Sequence, residues 1–224
     1  MQNLDSTQFV LNEEINNDEA SKIQLIREQN LKDIVASSLL RRYIRSHDAL
    51  LLQKAIELNP HNLRVNILLG NSFANLGNIQ KALFYYNKVL QTDPCNADAH
   101  YGTGDAYRKM AQYDKAIKHY YLKMKYEYKP SFEVRNNLAW MLATHTKAEY
   151  YNPEKAILLA QQACRLTQYK NPELLDTLAV AYAASGQIQP AIKTAERALE
   201  LAHSSGQSEL AKEIEENMRL FKKD

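Results

Sequence analysis

The chain has 224 residues, of which 45% are hydrophobic and 24% are charged, and its formal net charge is +2. This composition is typical of a folded protein and excludes an intrinsically disordered chain, and six Gly with six Pro leave little room for long linkers. Because the net charge is close to zero, no global electrostatic field attracts nucleic acid or a membrane surface, so a charged partner would be recognised by a local patch.

Cysteine usage and hydropathy indicate the compartment. Cys95 and Cys164 are far apart and form no CxxC spacing, which suggests neither a zinc site nor a disulfide framework and favours a reducing compartment. The stretch from Met1 to Val10 lacks a basic start and a continuous apolar segment, and no later segment is apolar over the length needed to cross a bilayer. We therefore expect a cytoplasmic protein without a membrane span.

The N-terminal residues divide into an acidic part and a helical part. Residues 1–19 contain acidic residues, no Lys or Arg and no long helical period, so we expect a flexible acidic arm, with docking of its apolar residues on a groove as the alternative. From Ala20 to Ile44 the apolar residues predict one long or two short helices. A helix over Asp48 to Leu58 then ends before Pro60, which predicts a degenerate first repeat over about 29–62.

The stretch from Leu63 to Lys129 reads almost the same twice at an interval of 34 residues, which matches a known repeat period. The matched pairs are Gly70 with Gly104, Phe73 with Tyr107, Ala82 with Ala116 and Tyr86 with Tyr120. Small residues at these positions allow two antiparallel helices to approach closely, and the aromatic residues fill the remaining space. Helix N-caps are expected at Asn62, Asn78 and Asn96. The two units span about 63–96 and 97–130.

Two further units and a closing helix follow. Ser131 opens a unit over about 132–170, which carries five extra residues around Thr144 to Asn152 before Asn152 and Pro153 restart the helix. Asn171 and Pro172 open a regular unit over about 172–205. A last amphipathic helix over about 207–222 is predicted to cap the stack, because the last repeat otherwise leaves an apolar face bare.

The 34-residue period and the order of small and aromatic residues resemble the tetratricopeptide-repeat (TPR) family, and the C-terminal part is similar to bacterial multi-TPR proteins. The fourth position, which is Trp in the family pattern, holds Asn66, His100, Arg135 and Leu175. The resemblance implies an all-α TPR superhelix over residues 20–224, whose first helices line a concave groove for peptides or protein segments. It also implies a non-enzymatic adaptor or assembly scaffold.

The family positions that face the groove can be carried over to this chain. They imply a surface of mixed polar and aromatic character, which suits hydrogen bonding to a ligand backbone together with an anchoring side chain. The candidate peptide-binding or protein-binding residues are Arg64, Asn71, Asn75, Tyr101, Asp105, Arg108, Asn136 and Trp140.

One TPR subclass holds the C-terminus of a chaperone with a carboxylate clamp of Lys and Asn residues. Asn71 fits one slot of that clamp, but the other slots hold Ile67, Gly102, Glu133 and Asn137. A free carboxylate would meet no cation there, so a chaperone C-terminus is not an expected ligand.

Two features keep alternatives open. Trp140, the only tryptophan, either anchors a bound segment or packs between adjacent repeats. The segment from Tyr113 to Lys129 interleaves lysines with tyrosines, which could stack bases, although most of these residues fall on a second helix whose outer face is solvated in this fold. The functional alternatives are therefore a nucleic-acid-associated factor that uses this face, which the placement disfavours, and an accessory domain of a larger bacterial enzyme such as a glycosyltransferase.

No catalytic, cofactor or metal motif accompanies the repeats. The six histidines form no i, i+4 pair, and the Gly102 to Asp105 segment lacks the third glycine and the preceding strand of a phosphate loop. Repeat geometry is expected to separate Glu133, Glu173 and Asp176, which excludes a paired acid for hydrolysis. We therefore expect no enzyme activity, no cofactor and no metal, and the sequence leaves homo-oligomerisation open.

Overall fold

The structure, a computed structural model, describes residues 4–46, 49–146 and 148–221. The described residues form helices and connecting turns without strands, which confirms the all-α class for this part of the chain. The remaining residues (1–3, 47–48, 147 and 222–224), which fall in the predicted arm, first repeat, insertion and capping helix, lie outside the described residues. The helices are α1 (Leu4–Ser46), α2 (Ala49–Leu58), α3 (Leu63–Asn75), α4 (Ile79–Thr92), α5 (Ala97–Lys109), α6 (Tyr113–Tyr126), α7 (Phe132–Thr144), α8 (Pro153–Leu166), α9 (Pro172–Ala184), α10 (Ile188–Ser204) and α11 (Ser208–Phe221).

The helices pack in consecutive pairs that form a stack. Helix α3 packs on α4, α5 on α6, α7 on α8 and α9 on α10, and each pair touches the next through its second helix. First helices of neighbouring pairs also meet, as α3 does with α5 and α7 with α9. The four first helices α3, α5, α7 and α9 are all 13 residues long, so equivalent positions recur along one side of the stack.

Asparagine and serine side chains start most of these helices. Asn62, Asn78, Asn96 and Asn152 each accept a hydrogen bond from the backbone N–H three residues later, and Ser131 does the same for α7. Each side chain satisfies one of the N–H groups that have no partner inside the helix. The predicted N-caps are confirmed.

Glycine residues on α3 and α5 allow close helix contact with an aromatic ring. A Cβ atom added to Gly104 would lie 2.8 Å from Cδ1 of Tyr120, so only glycine lets α5 and α6 approach this closely. Tyr86 is enclosed on two sides, because a Cβ atom at either Gly70 or Gly102 would overlap its ring. Tyr86 of the α3–α4 pair therefore also packs closely against α5 of the next pair.

The buried residues form an N-terminal and a larger C-terminal cluster. The N-terminal cluster joins α1, α2 and α3 through Ala36, Leu40, Leu52 and Val65. The C-terminal cluster extends from α6 to α11. Helix α11 buries three apolar residues (Ala211, Ile214 and Phe221) in it and leaves its acidic residues exposed, as expected for a helix that covers the end of a stack.

The connection between α7 and α8 contains the predicted insertion. It runs over residues 145–152, compared with residues 76–78 between α3 and α4. Tyr151 donates a hydrogen bond to the carbonyl of Ala184 at 3.0 Å, so this longer connection also contacts the end of α9.

The predicted flexible arm over residues 1–19 differs from the structure, in which α1 begins at Leu4 and continues to Ser46. The chain has no Pro before Pro60 and no Gly before Gly70, so neither of the two strongest helix-breaking residues occurs within α1. Part of α1 makes little contact with the rest of the chain, since Ile23, Ile26 and Leu31 are each more than half exposed.

Among the described residues, no helix combines the length and the apolar character that crossing a bilayer requires.

Candidate functional site

Two cavities lie along the first helices of the stack. The larger, which we call the N-terminal groove, has a volume of about 830 Å³ and is formed mainly by α3 and α5. The smaller, which we call the C-terminal pocket, has a volume of about 390 Å³ and is formed by α5, α7, α9 and α11. The eight candidate residues predicted from the sequence all lie on α3, α5 or α7 and all line one of these cavities.

Five of the eight candidates line the N-terminal groove. Arg64, Asn71 and Asn75 come from α3, and Tyr101 and Asp105 come from α5. Apolar side chains, among them Ile67 and Leu68, line the same cavity, as do Asp98 and Lys109. The groove therefore combines apolar surface with both signs of charge.

Tyr86 lies beneath the N-terminal groove and fixes Asn71. Its hydroxyl group donates a hydrogen bond of 2.7 Å to Oδ1 of Asn71, and its side chain is almost fully buried. Burial, with a smaller contribution from the carboxylate of Asp105, raises the pKa of Tyr86 to about 12. The hydroxyl group thus remains a donor near neutral pH, and the amide group of Asn71 keeps its Nδ2 for other partners.

An ion pair on α5 separates the two cavities. Nη2 of Arg108 lies 2.6 Å from Oδ1 of Asp105, and Nζ of Lys109 lies 3.6 Å from Oδ2 of the same carboxylate. Tyr120 donates a hydrogen bond of 3.4 Å to Asp105 and accepts one of 3.3 Å from Asn137. Because Asp105 lines the groove and Arg108 lines the pocket, this network holds both walls in a fixed position.

The other three candidates, Arg108, Asn136 and Trp140, line the C-terminal pocket. Trp140 has 42% of its surface exposed, so its side chain is only partly enclosed and part of the ring is available to a ligand. Its ring meets that of His145 edge-on, with the ring centres 5.4 Å apart, which restricts its orientation.

The repeat positions imply that the candidate side chains are exposed and free to bind a ligand, but two of them are not. Asn136 is only 7% exposed, because the tight contact of α7 with its neighbours covers its side chain, and its Oδ1 has no hydrogen-bond partner among the described residues. The guanidinium of Arg108 is already engaged by Asp105. Neither residue is a freely exposed contact.

The sequence reasoning missed an acidic wall in the C-terminal pocket. Glu173 and Asp176 come from α9 and Glu213 comes from α11. The expectation that repeat geometry keeps Glu173 apart from Asp176 is wrong, because the two residues share one face of the same helix. The family positions that face the groove, carried over to α9, would have identified Asp176. Helix α11 belongs to no repeat, so no repeat position indicated Glu213.

Asp176 is the buried member of this wall. It is 8% exposed, and Nδ2 of Asn217 donates hydrogen bonds of 3.2 Å to its Oδ1 and 3.0 Å to its Oδ2. Burial raises the pKa of Asp176 to about 6, and repulsion from Glu213 and Glu173 acts in the same direction, while the bonds from Asn217 oppose it.

Many of the lysines and tyrosines of the 113–129 segment contact other side chains of the chain. Lys123 forms an ion pair with Asp98 at 3.3 Å, and Tyr120 is buried. Lys115 and Lys125 lie over the rings of Tyr107 and Tyr126. These contacts leave fewer rings available for stacking on bases.

Two histidines that sequence spacing did not connect meet between α5 and α6. Nδ1 of His100 lies 3.0 Å from Nδ1 of His119, and Nε2 of His100 contacts the carbonyl of Pro94 at 3.0 Å. Burial, with repulsion from His100 and Lys118, lowers the pKa of His119 to about 4. Among the described residues, no group of three or more His, Cys, Asp or Glu side chains is arranged to hold a metal ion.

Comparisons with known proteins agree with this architecture. Sequence models of the tetratricopeptide repeat match residues 63–94 and 85–118. Comparison with the sequences of curated proteins gives no match.

Solved structures with a similar fold include three TPR-type chains. YrrB, described as a TPR protein with an unusual peptide-binding site, is 21% identical, with 77% of this chain and 93% of that chain covered and a TM-score of 0.59. PilF of Pseudomonas aeruginosa is 17% identical, with 88% and 94% covered and a TM-score of 0.59. MamA of Desulfovibrio magneticus RS-1 is 20% identical, with 79% and 96% covered and a TM-score of 0.57. At these identities the similarity shows the fold.

Proposed function

Since this chain is a multi-TPR protein with the superhelical fold of that family, we propose that it is a non-enzymatic scaffold that binds a protein segment in its N-terminal groove. The observation that carries the proposal is the cavity of about 830 Å³ between α3 and α5. Its volume lies within the range of ligand sites, and its lining offers side-chain amides for a ligand backbone next to apolar surface for a ligand side chain.

The chemistry of the groove favours a segment over a free carboxylate. Asp98, Asp105 and Lys109 of α5 line the groove together with Arg64 of α3, and Lys109 already pairs with Asp105. A ligand with a single negative charge would gain little there, whereas an extended backbone can use donors and acceptors of both kinds. The similarity in fold to YrrB, whose description names a peptide-binding site, supports the same use of the groove.

A selection from a displayed library of random 12-residue peptides tests this function. Peptides recovered on the wild-type protein are synthesised, and their affinity is measured by calorimetry for wild type and for the variant Arg64→Ala with Asn75→Ala. Both side chains are exposed in the groove, so the variant should keep its helix content. We expect at least about a tenfold loss of affinity, since truncation of a contact residue commonly costs more than about 1 kcal/mol.

The control carries Lys118→Ala with Lys125→Ala, which removes two exposed cations from α6 outside both cavities. Its affinity for the same peptides should stay within about twofold of wild type. Loss of binding in this control with full binding in the groove variant would move the ligand surface to the convex side of the stack. In that case, a steep salt dependence of binding to single-stranded DNA would favour the nucleic-acid alternative.

A further inference from the structure

The C-terminal pocket has an excess of negative charge that the described residues do not neutralise. Its acidic wall consists of Glu173, Asp176 and Glu213, and among the described residues no Lys or Arg pairs with any of the three. Arg108 is the basic residue in the lining, and its guanidinium is bound to Asp105. Asp176 is buried, whereas Glu173 and Glu213 are exposed. A cation that reaches the buried carboxylate is attracted more strongly than it would be by carboxylates on an open surface.

A buried acceptor without a donor lies in the same wall. The side chain of Asn136 is nine-tenths buried and lines the pocket, and its Oδ1 has no hydrogen-bond partner among the described residues. A buried polar atom without a partner is uncommon in a folded protein, because it loses its hydrogen bond to water. A ligand N–H group that reaches this oxygen from the pocket would supply the missing hydrogen bond.

The remaining walls suit the stem of a long side chain. Trp140 presents an exposed ring to the pocket, and Leu210 adds apolar surface from α11. Lys and Arg side chains combine an aliphatic stem with a cationic head, and a guanidinium or ammonium group is attracted by the face of an indole ring. Because no group of three potential ligands in the described residues is arranged for a metal ion, the pocket fits an organic cation better than a metal.

We propose that the C-terminal pocket binds an arginine or lysine side chain, with Glu173, Asp176 and Glu213 facing the cationic head and Trp140 contacting its stem. The assignment of this cation to a protein segment rests on the proposed function, and continuity of the two cavities supports it. Asp105 lines the groove and Arg108 lines the pocket, so a segment in the groove reaches the pocket by crossing their ion pair.

Trp140 makes a direct test possible, because it is the only tryptophan in the chain and lies in the pocket wall. Its fluorescence is followed while Nα-acetyl-arginine amide is added to the full-length protein. The neutral analogue Nα-acetyl-citrulline amide has nearly the same shape and serves as the matched ligand. We expect a saturable change with the arginine derivative and none with the citrulline derivative. Equal saturation by both ligands would overturn the proposal.

Two matched variants separate the pocket from general charge effects. Glu173→Gln with Glu213→Gln removes two pocket carboxylates and should weaken binding of the arginine derivative at least about tenfold. Glu154→Gln with Glu215→Gln removes the same charge from exposed positions outside the pocket and should change binding less than about twofold. Equal losses in the two variants would contradict a specific site.

Three further results identify the cation and separate the cation site from the proposed groove function. Putrescine, titrated in the same way, should bind more weakly than the arginine derivative, and tighter binding would assign the pocket to a free polyamine and overturn the side-chain assignment. Specific binding of the arginine derivative, together with no peptide recovered from the displayed library, would refute the proposed groove function while leaving the cation site intact. Recovered peptides that bind the groove without any arginine or lysine requirement would refute the side-chain assignment alone.

Discussion

Gly102→Ala tests how Tyr86 joins one helical pair to the next. Alanine is ordinarily the better helix residue, by roughly 0.5–1 kcal/mol relative to glycine. At this position, however, the new Cβ atom would lie 2.5 Å from Cε1 and 2.8 Å from Cε2 of Tyr86. The ring cannot move aside, because Gly70 faces it on the other side and Asn71 holds its hydroxyl group.

The expected net effect is a loss of stability of about 1–2 kcal/mol, since overpacking a buried site typically costs about 1–3 kcal/mol and the helix gain offsets part of it. Urea unfolding followed by circular dichroism measures the difference. The control is the same substitution in a Tyr86→Ala background, where the obstructing ring is absent and the alanine should stabilise the protein by roughly 0.5–1 kcal/mol. A stabilising effect in the wild-type background, or the same sign in both backgrounds, would refute the packing role of Gly102.

Three further predictions concern single residues, and a fourth concerns the capping helix α11. Ala111, with φ +56°, lies at the turn position that holds Gly77 between α3 and α4 and Gly186 between α9 and α10. Ala111→Gly should therefore raise stability by up to about 1 kcal/mol, and a lower melting temperature would contradict the strain. The raised pKa of Asp176 gives stability that is present below pH 3.8 and is lost as the pH rises through about 6. Asp176→Asn should therefore raise the melting temperature more at pH 7.5 than at pH 4. An equal effect at both pH values would refute this. The lowered pKa of His119 makes stability depend on pH in the opposite direction, so stability should fall as the pH drops from 6.5 toward 4. His119→Phe should reduce this dependence in a pH series of unfolding curves. Removing residues 207–224 should expose the apolar end of the stack and cause aggregation in size-exclusion chromatography, and a monomer of unchanged stability would contradict the capping role of α11.

Local chemistry explains why the sequence predicts most helix boundaries. Asn62, Asn78 and Asn96 each precede a helix because a short side-chain oxygen there satisfies the first unpaired N–H groups, and this requirement depends on few distant contacts. The period of 34 residues is equally visible, since Gly70 and Gly104 face the aromatic residues of their own pairs. The groove positions follow from the same register, which is why all eight candidates line a cavity.

Features that depend on contacts between pairs could not be predicted in this way. The role of Gly102 appears only when Tyr86 of the preceding pair is placed against it. The engagement of Arg108 by Asp105 depends on side-chain rotamers, and the meeting of His100 with His119 depends on how two helices cross. The start of α1 at Leu4 was missed because an acidic terminal segment without apolar periodicity also fits a flexible arm.

Equivalent positions on the first helices change character along the stack. Ile67, Tyr101, Asn136 and Asp176 each occupy the fifth position of their helix, so the same face runs from an aliphatic side chain through an aromatic and an amide to a carboxylate. A bound segment with an apolar residue at one end and a cation at the other would match this order in one direction only. In the reverse direction the cation would meet Ile67 and the acidic wall would stay unpaired, so both ends would disfavour that orientation. Since α11 supplies Glu213 and Leu210 to the acidic end, the helix that caps the fold also completes the surface that would set the direction of the ligand.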